Sequence, residues 1–327
     1  MRIRRSILID STRGQYFHVT SRVVDKRFIF GEAEKEAFLG MVRQYEGFSG
    51  VQVLSYCLMS NHFHLLIHVP RRPDTIPEEE VFRRLKFIYK KERIEAFKEQ
   101  MTELEHEATD RFKEEFLDGF RTRMYHLSHF VRELKLRFSK YYNFRNDREG
   151  TLWEARFKCS LIEGHSNALM NTAAYIELNP VRAGIVDDPA QYSWCSYAEA
   201  LAGGKSARAG LITLASRANQ KLNYRDAIKA YRDFFKDKSR AQSWSKRGMT
   251  DGKLEESEDA TSEAQSRDGD IIAKVRYFMD GVILGSKEFI EEWHNKNRDH
   301  LNKARKRLSN PLSHESMEGL HTYRKVD

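Results

Sequence analysis

The stretch Tyr56-Cys57-Leu58-Met59-Ser60-Asn61-His62-Phe63-His64-Leu65-Leu66-Ile67 carries more structural information than any other in the chain. Val51 to Met59 is rich in strand-forming residues, Ser60-Asn61 suits a tight turn, and His62 to Val69 continues as a second strand, so a hairpin is expected. Alternate residues of a strand share a face, so His62 and His64 project together while Phe63 points away. At about 3.3 Å per residue their backbones lie roughly 6.6 Å apart, close enough for two imidazoles to converge on one metal ion. His68 has the same parity but sits roughly 13 Å beyond His64, out of reach of that ion. Two alternating histidines in a sheet are more often plain hydrogen-bonded residues. The pair needs support from elsewhere in the chain.

On its N-terminal side, Gln15 to Val24 reads as a strand, and Glu32 to Tyr45 as a helix with Phe38, Leu39 and Val42 on one side. On its C-terminal side, Pro70 and Pro73 close the hairpin, and residues 77–120, charged and helix-favouring, predict a helical insertion. Leu127 to Tyr142 places Phe130, Leu134, Phe138 and Tyr141 at helical spacing, and residues 143–150 form a polar turn. Phe157 to Ile162 is a fourth strand, and His165 to Asn179 a helix ended by Pro180. Strands and helices mixed in this way make an α+β fold, whose principal domain spans 1–205. Residues 206–235 extend it with helix. Residues 236–269, rich in Ser, Lys, Glu and Asp, read as a flexible linker. Residues 270–327 are expected to form a small helical domain, a candidate DNA-binding appendage, with Asp280-Gly281 between two helices and Ser286 as an N-cap.

With 327 residues, 40% of them hydrophobic, the chain is long enough for a substantial core. Lys and Arg number 56 against 48 acids, a formal charge of +8, which favours a polyanionic partner without proving one. Cys57, Cys159 and Cys195 lie far apart with no CxxC spacing, so neither a disulfide framework nor a cysteine zinc site is expected, and a reducing, cytoplasmic location follows. The basic N-terminus lacks the apolar stretch of a signal peptide, and no run approaches membrane-spanning length.

Support for the histidine pair comes from residues 167–179. There Leu169, Ala173 and Ile176 form an apolar stripe, while Tyr175 lies on a different one, with Asn171 and Asn179 four residues to either side. A tyrosine so placed is commonly a surface residue. Beside a metal, however, it acquires a chemistry: a metal on a phosphate oxygen orients the phosphodiester for in-line attack, and the phenol forms a phosphotyrosine that conserves the bond for a later joining step. Asn179, one turn from Tyr175, is placed to give a third metal ligand through its amide oxygen. Tyr142, with Asn146 four residues on, repeats the spacing and competes as nucleophile, although Asn146 falls in the polar turn; Tyr141 belongs to the apolar stripe of its helix.

Ser60-Asn61-His62-Phe63-His64-Leu65-Leu66 resembles the His-hydrophobe-His (HUH) motif of single-tyrosine transposases. The segments 150–158 and 175–184, the opening His18-Val19-Thr20-Ser21-Arg22 and the closing Tyr192-Ser193-Trp194-Cys195-Ser196-Tyr197 are similar to those of one branch, the REP-associated tyrosine transposases, relatives of the insertion-sequence 200/605 enzymes. The resemblance covers roughly residues 10–200. It implies a central antiparallel sheet with packed helices, like ferredoxin-like and RNA-recognition folds, to which the C-terminal helices are an appendage. It implies His62 and His64 as metal ligands, Tyr175 as nucleophile and Asn179 as additional ligand, acting on single-stranded DNA hairpins. The implied cofactor is Mg²⁺ or Mn²⁺, although imidazole suits manganese or zinc better than magnesium. A homodimer is compatible with this, with the tyrosine acting within one subunit or across two. The insertion at 77–120 is longer than expected of the family's core.

Arg145, Arg148, Trp153, Arg156, Phe157 and Lys158 interleave positive and aromatic side chains, the composition of a surface that neutralises phosphates and stacks unpaired bases. Trp153 and Phe157 serve equally well as core residues. Arg182 is placed either to contact phosphate or to cap backbone carbonyls. Two further functions fit the residues: a DNA-hairpin-binding regulator without catalysis, and a metal-dependent hydrolase that forms no covalent intermediate.

Overall fold

In the computed structural model, which describes residues 5–10, 12–107, 110–164, 167–216, 222–234, 278, 282–301, 308–312, 317 and 319–324, the expected strands meet in one sheet. A short helix α1 (Arg5–Leu8) leads to β1 (Gln15–Arg22), and α2 (Glu32–Ser49) connects β1 to the hairpin of β2 (Gln52–Leu58) and β3 (His62–Val69). Gly50 ends α2 in the left-handed conformation (φ 74°), its N–H bonded to the Glu46 carbonyl. Next come α3 (Glu78–Leu85), α4 (Lys91–Glu107), α5 (Asp110–Arg121), α6 (Leu127–Arg145) and β4 (Lys158–Ile162). The four strands are antiparallel in the order β2-β3-β1-β4. With α2 after β1 and α6 before β4, this is the ferredoxin-like βαββαβ arrangement, and the fold is α+β as expected.

Alternation divides the sheet's side chains between two cores. Phe17, Val19, Phe63, Leu65 and Ile67 join Phe38 and Val42 of α2 and Phe130, Leu134 and Phe138 of α6 on one face. The insertion packs into this same core through Val81, Leu85, Phe97, Leu117 and Phe120. The other face, where Leu54, Cys57, Leu66 and Ile162 point, is covered by α7 (Asn167–Glu177), α9 (Ser196–Leu201) and α10 (Lys205–Ala215). Between α7 and α9 lies a single turn, α8 (Asn179–Arg182); Pro180 opens it instead of ending α7, a position where its missing N–H costs nothing. A further helix, α11, spans 224–234.

Two local features bring these helices close. The register of β2 slips between Val53 and Ser55, so Leu54 and Ser55 both turn toward the helices. At Gly210 of α10, an added Cβ would lie 2.3 Å from the Leu54 carbonyl oxygen. Because that obstacle is backbone, Gly210→Ala is expected to cost about 1–3 kcal/mol. Urea denaturation of the variant measures the loss, and an unchanged midpoint would show that α10 is not seated this tightly.

The C-terminal residues depart from the helical appendage expected. The anticipated N-cap is present: Ser286 Oγ accepts the Phe289 N–H at 3.1 Å and opens α12 (Lys287–Lys296). Just before it, however, β5 (Ile283–Gly285) pairs in parallel with β4, followed in the sheet by β7 (His321–Thr322) and β6 (Asn310–Pro311), giving β2-β3-β1-β4-β5-β7-β6. These residues thus extend the sheet. The linker read at 236–269 lies outside the described residues, as does the helix expected before Asp280-Gly281 except for Phe278. Among the described residues, no helix is long and apolar enough to cross a membrane.

Candidate active site

The face of β3 that carries His62 and His64 is the one α7 covers. Pairing of β1 with β3 sets Thr20 opposite His64 and Arg22 opposite His62. It also brings in a residue that sequence reasoning did not select for the site, His18. The His18 Nε2 lies 2.9 Å from His64 Nδ1, and its Nδ1 lies 2.9 Å from the Phe278 carbonyl oxygen, which also accepts from Ser160 Oγ at 3.2 Å. His62 Nδ1 is 2.6 Å from Asn61 Oδ1. The Asn61 Nδ2 donates to the Lys26 carbonyl at 3.0 Å. The His62 and His64 ring centres are 5.1 Å apart.

Tyr175 meets this cluster edge-on, its ring centre 5.7 Å from those of both His18 and His64. The sequence set Tyr175 on a polar stripe away from the core; in the fold that stripe faces the sheet, and Tyr175 is only 5% exposed. Its flanking amides turn back to their own helix. Asn171 donates to the Asn167 carbonyl, and Asn179 to those of Tyr175 and Ile176. Phe278 stacks on the Tyr175 ring at 4.5 Å. The Arg182 guanidinium lies 4.3 Å from the ring centre and donates to the Tyr175 carbonyl at 2.7 Å.

The helix that holds Tyr175 is anchored two residues later. The buried Glu177 carboxylate accepts from Ser55 Oγ (3.0 Å), Ser196 Oγ (2.5 Å) and the Tyr197 N–H (2.8 Å). Burial pushes its pKa up to about 7, against the opposing pull of these bonds. The rival Tyr142 and its neighbour Tyr141 sit on α6 near Phe138, half-buried against the core on the opposite side of the sheet from His64.

Burial holds His18 down to about 4, partly offset by its bond to the Phe278 carbonyl and reinforced by Arg182. It does the same for His62, aided by Arg22, and takes His64 well below the usual histidine range, with His62, His18, Arg182 and Arg22 adding to the effect. All three imidazoles are therefore neutral near pH 7, the form that ligates metals. Among the described residues no group of three or more His, Cys, Asp or Glu is arranged to hold an ion. The neutral imidazoles of His62 and His64 stand with ring centres 5.1 Å apart, and the hydrogen bonds of Asn179 use Nδ2 alone. Paired neutral imidazoles, as donors, suit a divalent transition ion such as manganese better than magnesium.

The residues read from sequence as nucleic-acid contacts are distributed more widely. Trp153 is buried, its Nε1 donating to Ser139 Oγ and the Lys135 carbonyl, its ring packed near Phe63 and Phe138. It is a core residue here and offers no stacking surface. Phe157 is likewise buried. Arg148 braces its own loop through Asn143 Oδ1 and the Thr151 carbonyl. Arg145 lies over the Tyr141 ring at 5.5 Å, while Arg145, Arg156 and Lys158 are exposed. Arg182 belongs to the tyrosine cluster itself.

Residues 11–116 match the family model described as transposase, IS200 like, which bears out the resemblance over that segment. The match includes His18, His62 and His64 and stops before α6, so Tyr175 and Asn179 lie beyond it. No curated protein matches the chain. A solved structure described as a REP-associated tyrosine transposase bound to a REP hairpin aligns with 62% of this chain and 87% of its own, at 11% identity and a TM-score of 0.37.

Proposed function

We propose that the chain is a metal-dependent single-stranded DNA endonuclease and strand transferase acting on hairpin-containing DNA, with Tyr175 as nucleophile and His62, His64 and Asn179 as the metal-holding set. One observation carries it: within one chain, the Tyr175 ring stands 5.7 Å from that of His64. This juxtaposition supports a tyrosine that acts on the phosphate held by its own subunit.

In the cleavage step the Tyr175 oxygen attacks phosphorus as the bond to the 3′ oxygen breaks. The 5′ phosphate stays on the protein as phosphotyrosine, and the departing 3′ oxygen takes up a proton in place of the one the phenol loses. Attack by another 3′-hydroxyl reverses the exchange and joins strands. A bound Mg²⁺ or Mn²⁺ supplies positive charge at the phosphate oxygens. Arg182 places a positive charge beside the Tyr175 ring, and exposed Arg145, Arg156 and Lys158 offer charge to an approaching strand. The stacking of Phe278 on Tyr175 favours a second function, in which hairpin DNA is bound and not cut, because it covers the ring.

The test is to incubate the full chain with end-labelled single-stranded hairpin DNA and Mn²⁺. A protease-sensitive covalent adduct is expected, unaffected by Tyr142→Phe. Binding without cutting supports the regulator, and cutting without an adduct the hydrolase.

A further inference from the structure

We infer that His18 is a positioning residue which, with the Phe278 carbonyl, fixes the tautomer of His64 so that His64 offers its Nε2 lone pair outward to the metal. The inference rests on the metal role proposed above for His62 and His64.

A carbonyl oxygen only accepts, so at 2.9 Å from the Phe278 oxygen the His18 Nδ1 must carry the proton. Ser160 donates to the same oxygen, consistent with an acceptor serving two donors. A neutral imidazole has one N–H, so His18 Nε2 is left with a lone pair. The 2.9 Å contact between that nitrogen and His64 Nδ1 therefore has one assignment: the His64 Nδ1–H donates and His18 accepts. Neutral His64 is thereby left with its lone pair on Nε2.

His62 reaches the same state by a different route. The Asn61 amide is oriented by its Nδ2 bond to the Lys26 carbonyl, so its Oδ1 faces the His62 Nδ1 at 2.6 Å and accepts from it. Both rings then present Nε2 lone pairs. A ligand histidine whose other nitrogen is tied to a fixed acceptor keeps its tautomer and its orientation. For His62 the acceptor is the amide preceding it; for His64 it is a histidine from the neighbouring strand. A hydrocarbon at position 18 would fill the same buried space without supplying an acceptor.

The experiment uses metal-free full chain labelled with ¹⁵N-histidine, where long-range ¹H–¹⁵N correlation reads which ring nitrogen holds each proton. Manganese affinity is measured in parallel by the electron paramagnetic resonance of free Mn²⁺, in wild type, His18→Phe and His18→Gln. His64 is expected to be a single Nδ1-protonated tautomer in wild type and a mixture in His18→Phe. Manganese affinity should fall about 10- to 100-fold in His18→Phe and recover most of that loss in His18→Gln, whose amide oxygen can accept. The His62 tautomer should stay constant throughout. A His64 protonated on Nε2 in wild type would overturn the inference, as would unchanged affinity in a folded His18→Phe, equal losses in both variants, or a wild type that binds no manganese. If His18→Phe does not fold, the wild-type tautomer and His18→Gln decide. Wild-type protein with the expected tautomer and manganese affinity that never cuts DNA would uphold the inference and remove the enzymatic function.

Discussion

Tyr175→Phe is expected to abolish the covalent protein–DNA adduct and to lower strand cleavage on the order of 10⁴-fold or more, the scale on which enzymes lose rate when a nucleophile is removed. Hairpin binding should change little. The substitution keeps the ring that stacks on Phe278 and lies beside Arg182, so α7 should stay seated, and loss of one hydroxyl costs about 1 kcal/mol. The variant thus separates chemistry from folding, which Tyr175→Ala, by leaving a cavity, would not. Gel analysis of labelled DNA, with melting temperature as the control, measures both effects. Turnover that survives in Tyr175→Phe, with an adduct that vanishes in Tyr142→Phe, would move the nucleophile to the other face of the sheet. There it would need a second copy of the chain to meet His64.

The features legible in the sequence are the local ones. The hairpin around Ser60-Asn61 is visible because two strands and a turn lie within twenty residues, and the shared face of His62 and His64 follows from strand parity alone. The i to i+4 spacing of Tyr175 and Asn179 is equally local. His18 was hidden because its place depends on β1 pairing with β3, a contact spanning 46 residues whose register no periodicity encodes. The exposure of Tyr175 was misjudged for a related reason. A helix stripe reads as polar or apolar in isolation, but α7 is enclosed by the sheet and by α9 and α10, so even the stripe carrying Asn171 is buried. Strands β5, β6 and β7 are two or three residues long, too short for alternation to register. Trp153 was ambiguous because its flanking charges fit a DNA surface and a core edge equally well.

A second large effect is expected far from the reacting atoms. Glu177→Ala should destabilise the protein by about 3 kcal/mol, because it leaves two hydroxyls and an N–H in a buried place without their acceptor, each costing on the order of 1 kcal/mol or more. Those donors come from Ser55 on β2 and from Ser196 and Tyr197 at the start of α9. Glu177 therefore joins the sheet, the tyrosine helix and the helix beyond it at one point, and its loss should loosen Tyr175 two residues away as well as the fold. Glu177→Gln separates these consequences. It keeps one acceptor oxygen for the serines, but its amide NH₂ meets the Tyr197 N–H donor to donor, so an intermediate loss of stability is expected. Ser55→Ala, which removes a single donor, should cost about 1 kcal/mol. Urea denaturation of the three variants, paired with the adduct assay, reads the order. If Glu177→Ala were as stable as wild type, α7 would be held by apolar packing alone; if it were unstable yet formed adduct at the wild-type rate when folded, the carboxylate would hold the fold together without placing the tyrosine.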